Sequence, residues 1–202
     1  MIPVYLASSS PRRRMLLEQV GLPFTVVEPR VEEEMDEQLP PHRLVEKLAL
    51  RKASSVARQL TGGLVVAADT VVVLGDRVLG KPADAAEAIS MLSLLAGNVH
   101  EVYTGLTVME PPPGRRVVTH ERTRVRFRSL TAEEIVNYVA TGEPLDKAGA
   151  YAAQGLGAIF IAGIEGCYFN VVGLPLARLA TVLQEFGLDL LRLSRKNGVL
   201  PA

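Results

Sequence analysis

The sequence predicts an α/β fold built on a mixed central sheet flanked by helices, and three observations lead there. Strand-like and helix-like segments alternate through the first half of the chain, the pattern of a helix-covered, mainly parallel sheet. Two long β-rich runs follow, residues 99–109 and 116–128, joined by Pro111-Pro112-Pro113-Gly114, and these predict antiparallel additions. At 202 residues, 48% hydrophobic and 22% charged, the chain buries a substantial core without covalent staples.

Taken in order, residues 2–7 read as a short buried strand. Ser8-Ser9-Ser10-Pro11 then opens a helix, with a serine as N-cap and proline in the first turn. Met15, Leu16, Leu17 and Val20 give that helix its core face, and Gly21 stops it. A second strand, 24–27, leads into the acidic loop Glu32 to Glu37. Over residues 41–60 apolar side chains recur at three- and four-residue steps, which predicts an amphipathic helix ended by Gly62-Gly63. The apolar strand 64–68 halts at Asp69, and Gly75-Asp76 between residues 71–74 and 77–79 signals a hairpin. A helix over 83–96 stops at Gly97-Asn98. After the long pair of strands, Thr131 and Glu134 form a capping box for a helix through Ala140. A Gly-rich segment, 142–157, precedes a strand at 158–164 and a helix from Pro175 to Phe186. Residues 1–192 make one domain, and 193–202 a poorly ordered tail.

Lys+Arg and Asp+Glu balance at 22 each, so the net field draws neither nucleic acid nor an anionic membrane, and anions must be recognised by local clusters. The single cysteine, Cys167, has no partner for an internal disulfide, and no Cys/His spacing resembles a zinc site. The apolar run from Leu64 to Leu74 is interrupted by Asp69 and too short to span a bilayer. The start, MIPVYLASSSPRRR, reverses the charge order of a secretory signal. Together these predict a cytoplasmic protein.

Several residues suit anion chemistry. A helix N-terminus offers N–H groups and partial positive charge to a phosphate. Arg12, Arg13 and Arg14 there cost an isolated helix roughly 0.3–1 kcal/mol each, an arrangement that makes sense if an anion docks beside the serines. The alternative is an ordinary capped helix with a solvated basic turn. Asp69 is a carboxylate at the carboxyl end of an apolar strand, where open α/β sheets bind ligands, suited to Mg²⁺ or to activating water. Lys52 falls on or beside the buried stripe of its helix, where a lysine either snorkels or serves a site. Lys81, between Gly80 and Pro82, sits on a stiff loop as a solvated lysine or part of a site, and Gln154, in a Gly-rich loop, is either simply polar or an amide that reads a base edge. His42, His100 and His120 read as structural or solvated, and Cys167 as a small buried hydrophobe.

The blocks Ala7-Ser8-Ser9-Ser10-Pro11-Arg12-Arg13, Ala68-Asp69-Thr70-Val71, Gly80-Lys81-Pro82, Thr104-Gly105 and Gly142-Glu143-Pro144-Leu145-Asp146-Lys147-Ala148-Gly149-Ala150-Tyr151 stand in a particular order and spacing. In this the chain resembles the Maf-like nucleoside triphosphate pyrophosphatases, from Leu6 to about Leu183. The resemblance implies a fold shared with the inosine-triphosphate pyrophosphatases, two lobes around a cleft, and a homodimer. It implies hydrolysis between the α- and β-phosphates with a divalent cation, Mg²⁺ or Mn²⁺. On that pattern Asp69 is the catalytic or metal-bound carboxylate, with Glu33 a second carboxylate near the metal, and Ser8, Arg13, Lys52 and Lys81 hold the triphosphate. Arg12, Thr70 and Gln154 match the branch acting on dTTP and UTP, whereas a sister branch acting on 7-methyl-GTP carries glutamate at the last position. Two other readings are the same reaction with another base preference and a nucleotide-binding regulator of cell division.

Overall fold

The computed structural model describes residues 2–31, 39–112 and 114–197. Its elements, in chain order, are β1 (Val4–Leu6), α1 (Pro11–Gln19), β2 (Thr25–Val26), α2 (Pro41–Ala57), β3 (Leu64–Leu74), β4 (Arg77–Leu79), α3 (Ala85–Leu95), β5 (Val99–Met109), β6 (Arg116–Phe127) and α4 (Ala132–Ala140). Short 3₁₀ turns at Glu143–Asp146, Ala148–Ala150 and Leu156–Phe160 lead to β7 (Ile161–Glu165), α5 (Tyr168–Val172), α6 (Leu176–Glu185) and α7 (Leu190–Asn197). Among the described residues seven strands form one sheet in the order β2-β1-β3-β5-β6-β7, with β4 paired to β3. β1 is parallel to both neighbours, while β4 on β3 and β7 on β6 are antiparallel, so the sheet is mixed as predicted.

The chain divides into two compact units, one of Met1–Asp69, Thr104–Glu121 and Gly173–Ala202, the other of Thr70–Tyr103 and Arg122–Val172. In the first, α2 buries Ala53, Val56 and Ala57 against Val65 and Ala67 of β3 and Met109 of β5. Small side chains on the helix let it lie close to the strands. Gly105 makes the same point: a Cβ there would sit 2.1 Å from the Val45 carbonyl oxygen, so only glycine fits between β5 and α2. In the second unit, Leu92 and Leu95 of α3, Ile135 and Tyr138 of α4, and Phe127 and Phe160 close an aromatic-rich core. Tyr138 and Phe160 meet edge to face with centroids 4.9 Å apart, the arrangement ring quadrupoles favour.

The structure departs from the sequence reading in instructive places. β3 does not halt at Asp69 but continues through it to Leu74, because the carboxylate finds a partner and the β-branched residues beyond it stay extended. Asp84 caps α3, accepting a hydrogen bond from the Glu87 N–H. The segment read as the start of the last strand, 158–160, is a 3₁₀ turn, and β7 begins only at Ile161. The Thr131–Glu134 capping box is present as predicted. After a turn at 186–189, α7 runs from Leu190 to Asn197, and Asp189 Oδ1 starts it by accepting the Leu191 and Arg192 N–H groups.

Candidate active site

In the first unit the parallel strands stop in step. Ala7 N–H donates to the Val66 oxygen (2.8 Å) and Val27 N–H to the Leu6 oxygen (3.0 Å), after which β1 and β2 leave the sheet while β3 runs on. Ser8, the first residue beyond that point, is buried. Its Oγ accepts the Ser10 N–H (3.1 Å) and Arg13 Nη1 (3.4 Å), leaving the hydroxyl proton as its one remaining donor. The Ser10 side chain makes no capping bond to α1, so the serine that organises the helix start is Ser8, through its neighbour's backbone. Arg13 turns inward: it is 9% exposed and its Nε donates to the Gly173 oxygen at 2.8 Å. Arg12, half-buried, occupies the same first turn, which contains no acidic residue.

Lys52 lies within the buried stripe of α2, flanked by Leu48, Ala49, Ala53 and Val56. Its Nζ forms an ion pair with Asp69 Oδ1, both side chains being nearly enclosed. Burying either charge alone costs several kcal/mol, so the pair explains why a lysine is tolerated in an apolar stripe and a carboxylate in mid-strand. Among the described residues Asp69 Oδ2 accepts no hydrogen bond. The first unit therefore holds Ser8, Arg13, Lys52 and Asp69 by their own side-chain contacts, at the level where β1 and β2 end.

Thr70, Lys81 and Gln154 belong to the second unit. Lys81 is exposed on the loop after β4, and that loop is held by Gly149 N–H donating to the Gly80 oxygen at 2.9 Å. Gly149 has a φ of +67°, and a Cβ on it would strike Val72, so the motif glycine is required twice over. Gln154 is half-buried, and its Oε1 is enclosed without a hydrogen-bond partner among the described residues. An enclosed amide oxygen with no partner is costly unless something is bound to it.

Sequence reasoning missed the groups that hold this loop. Glu143 Oε1 accepts the Tyr138 hydroxyl (2.8 Å) and the Gly157 N–H (3.0 Å), and Oε2 accepts the Leu156 N–H (3.0 Å). The Tyr138 hydroxyl in turn accepts the Ala152 N–H at 3.2 Å. Burial pushes the Glu143 carboxyl upward, but the Gly157 and Leu156 N–H groups, Tyr138 and the charge of Lys147 outweigh it and hold it below the usual carboxylate range. A glutamate twelve residues before Gly155 gives no local signal of this contact.

Glu33 and the acidic run around it lie outside the described residues. No group of three or more His, Cys, Asp or Glu able to hold a metal occurs among the described residues, nor any helix long and apolar enough to cross a membrane. The histidines take up packing roles. His120 Nδ1 is 2.8 Å from Glu46 Oε1, while buried His100 bonds the Tyr151 hydroxyl at 2.8 Å and has its pKa pushed down to about 4 by desolvation. Cys167 is half-buried, its backbone exchanging hydrogen bonds with Thr123 Oγ1.

Residues 3–186 match the family described as Maf-like protein. The chain is 55% identical over 190 residues to the dTTP/UTP pyrophosphatase of Desulforamulus reducens, covering 94% of this chain and 100% of that protein. It is 57% identical over 191 residues to the dTTP/UTP pyrophosphatase of Pelotomaculum thermopropionicum, covering 95% and 100%. Among solved structures, a HAM1 protein from Coxiella burnetii superposes with a TM-score of 0.50 at 19% identity, covering 92% of this chain and 100% of that one. That likeness is one of fold.

Proposed function

The chain belongs to the Maf-like protein family, and we propose on that premise that it hydrolyses dTTP and UTP to the nucleoside monophosphate and pyrophosphate. The observation that carries the proposal is the Lys52–Asp69 pair, a buried charge pair set where β1 and β2 end, with the Ser8 hydroxyl and Arg13 in the same unit.

Each residue takes a role suited to its chemistry. Ser8 donates its hydroxyl proton to a phosphate oxygen, and the first turn of α1, with Arg12 and Arg13, supplies positive potential. Lys52 and Lys81 offset the charge that builds on the departing pyrophosphate. Asp69 Oδ2 is the oxygen available either to orient the attacking water and accept its proton or to hold the cation, while Lys52 fixes the carboxylate through Oδ1. The Gln154 amide both donates and accepts, as the N3–H and flanking carbonyls of thymine or uracil require, whereas a carboxylate there accepts only. Thr70, next to Asp69 in the chain, completes the set that favours these bases.

A divalent cation fits this donor set. Mg²⁺ or Mn²⁺ is held by one or two carboxylates together with substrate phosphates, and Asp69 offers a hard oxygen with no competing hydrogen bond among the described residues. Glu33 is the second carboxylate we assign to it. The cation supplies charge neutralisation at the phosphates. In the same reading residues 1–192 work as one catalytic domain, as a homodimer in the cytoplasm, with no nucleic acid or membrane partner.

The test is to incubate the protein with each common NTP and dNTP plus Mg²⁺ or Mn²⁺ and identify the phosphate species released. Pyrophosphate from dTTP and UTP, lost in a folded Asp69→Asn variant, is the expected result. Orthophosphate release, or turnover that survives the substitution, contradicts the mechanism.

A further inference from the structure

The loop that carries Gln154 is tied down on both sides of that residue. On one side the Ala152 N–H donates to the Tyr138 hydroxyl, and on the other the Leu156 and Gly157 N–H groups donate to the Glu143 carboxylate. Tyr138 and Glu143 are themselves joined at 2.8 Å, so the two anchors are one device. The glycines of the loop are shaped to it. A Cβ on Gly155 would stand 2.6 Å from Glu143 Oε2, and one on Gly157 would stand 2.7 Å from both the Tyr138 hydroxyl and the Ala152 oxygen. Only a loop without side chains at these positions closes onto the pair. Tyr138 is in turn fixed by packing on Phe160 and is nearly fully buried. Between the anchors stands Gln154, its amide oxygen enclosed and unpartnered among the described residues.

We propose that Glu143 and Tyr138 are positioning residues for base selection: together they clamp the loop Ala152–Gly157 and hold the Gln154 amide in the one orientation that reads a pyrimidine edge. This rests on Gln154 being the base reader. Neither residue touches the nucleotide in this account. Their effect reaches the substrate through the loop backbone. Discrimination between UTP and CTP depends on which end of the amide faces the ring, because uracil presents N3–H beside O4 where cytosine presents a bare N3 beside an amino group. A loop released at one anchor lets the amide turn and serve both rings.

The experiment measures kcat and KM for UTP and CTP in the wild type, Gln154→Ala, Glu143→Gln and Tyr138→Phe, with amide hydrogen exchange over residues 152–157. Glu143→Gln keeps one acceptor but aims an NH₂ donor at the Leu156 N–H. Tyr138→Phe keeps the ring packing and removes the hydroxyl shared by both anchors. It also serves as the independent variant should the first fail to fold. The expected result is that Gln154→Ala narrows the UTP preference by about tenfold, the upper end of what one net hydrogen bond contributes. The clamp variants should narrow it by about threefold or more, mainly through KM for UTP, with faster exchange at Leu156 and Gly157. An unchanged preference in both clamp variants, while Gln154→Ala does change it, overturns the clamp and leaves the base reader standing. An equal fall in kcat/KM for both nucleotides shows a merely structural role and also overturns it. An unchanged preference in Gln154→Ala removes the base reader, and the clamp's role in selection with it.

Discussion

In the first unit the candidate groups are held by charge and by their own side chains: Lys52 on Asp69, and Arg13 on Ser8 and the Gly173 oxygen. In the second they sit on loops held by the backbone: Gly149 N–H on the Gly80 oxygen, and Leu156 and Gly157 N–H groups on Glu143. The difference follows from the task each performs in the proposed reaction. Phosphates demand fixed charge, and fixed charge near a core must be paired to be tolerated. A base edge demands a neutral amide in a defined orientation, and orientation on a loop comes from tying down its N–H and C=O groups. Glycine accordingly crowds the second device.

The largest expected effect comes from breaking the charge pair at either member. Asp69→Asn removes the carboxylate that offsets buried Lys52, and should abolish turnover while lowering stability by about 3 kcal/mol. Lys52→Met should lower kcat by about a hundredfold or more and, by leaving the enclosed Asp69 carboxylate without its partner, lower stability by about 3 kcal/mol as well. Pyrophosphate release and thermal unfolding of both variants check this. Melting temperatures near the wild-type value in both variants would show that the pair is not what holds this unit's site.

Gly105→Ala comes next. Its Cβ would meet the Val45 carbonyl oxygen at 2.1 Å, a backbone contact that no rotamer relieves. Overpacking of this kind costs about 1–3 kcal/mol or more, and here it also displaces α2, so denaturant unfolding and turnover should decline together.

The second unit carries the pH dependence. His100 is neutral when folded, with its pKa lowered from 6.5 to about 4, so between those values the unfolded chain binds the extra proton. Stability attributable to His100 is complete above pH 6.5 and falls as the pH drops toward 4. The loss approaches about 3 kcal/mol, from 1.36 kcal/mol per pKa unit. Denaturant titrations across that range should show the slope, and His100→Leu should flatten it even though the Tyr151 hydroxyl loses its partner. Glu143, whose pKa is lowered, adds stability above the ordinary carboxylate range that is lost on further acidification through its folded value.

The smallest effect concerns Ala150, a non-glycine residue at φ +57° beside the Gly149 turn. A left-handed alanine costs roughly 1–2 kcal/mol, but glycine's extra chain entropy returns roughly 0.5–1 and loss of the fully buried methyl about 0.8, so Ala150→Gly should change stability by less than about 0.5 kcal/mol. A calorimetric destabilisation of about 1.5 kcal/mol or more would mean that this backbone is not strained.

The sequence by itself determined the fold class, most of the regular elements and the two polar residues, Lys52 and Asp69, that interrupt apolar patterns. Periodicity, capping residues and turn glycines are local signals, and so is a lysine in an apolar stripe or an aspartate in an apolar strand. Lys52 and Asp69 stood out as polar groups in apolar patterns, whereas Ser8 and Arg13 were marked by a helix start that gathers serines and arginines and by the family resemblance. Only the tertiary structure decided that β3 runs unbroken through Asp69, that Lys52 is the group which makes this affordable, and that Gly105 seats α2 on β5. The clamp of Tyr138 and Glu143 on the Gln154 loop belongs there too. These depend on pairing between residues far apart in the chain, through backbone groups that every residue carries alike. A sequence displays side chains, and it shows a backbone partner only when the fold has brought that partner within hydrogen-bond reach.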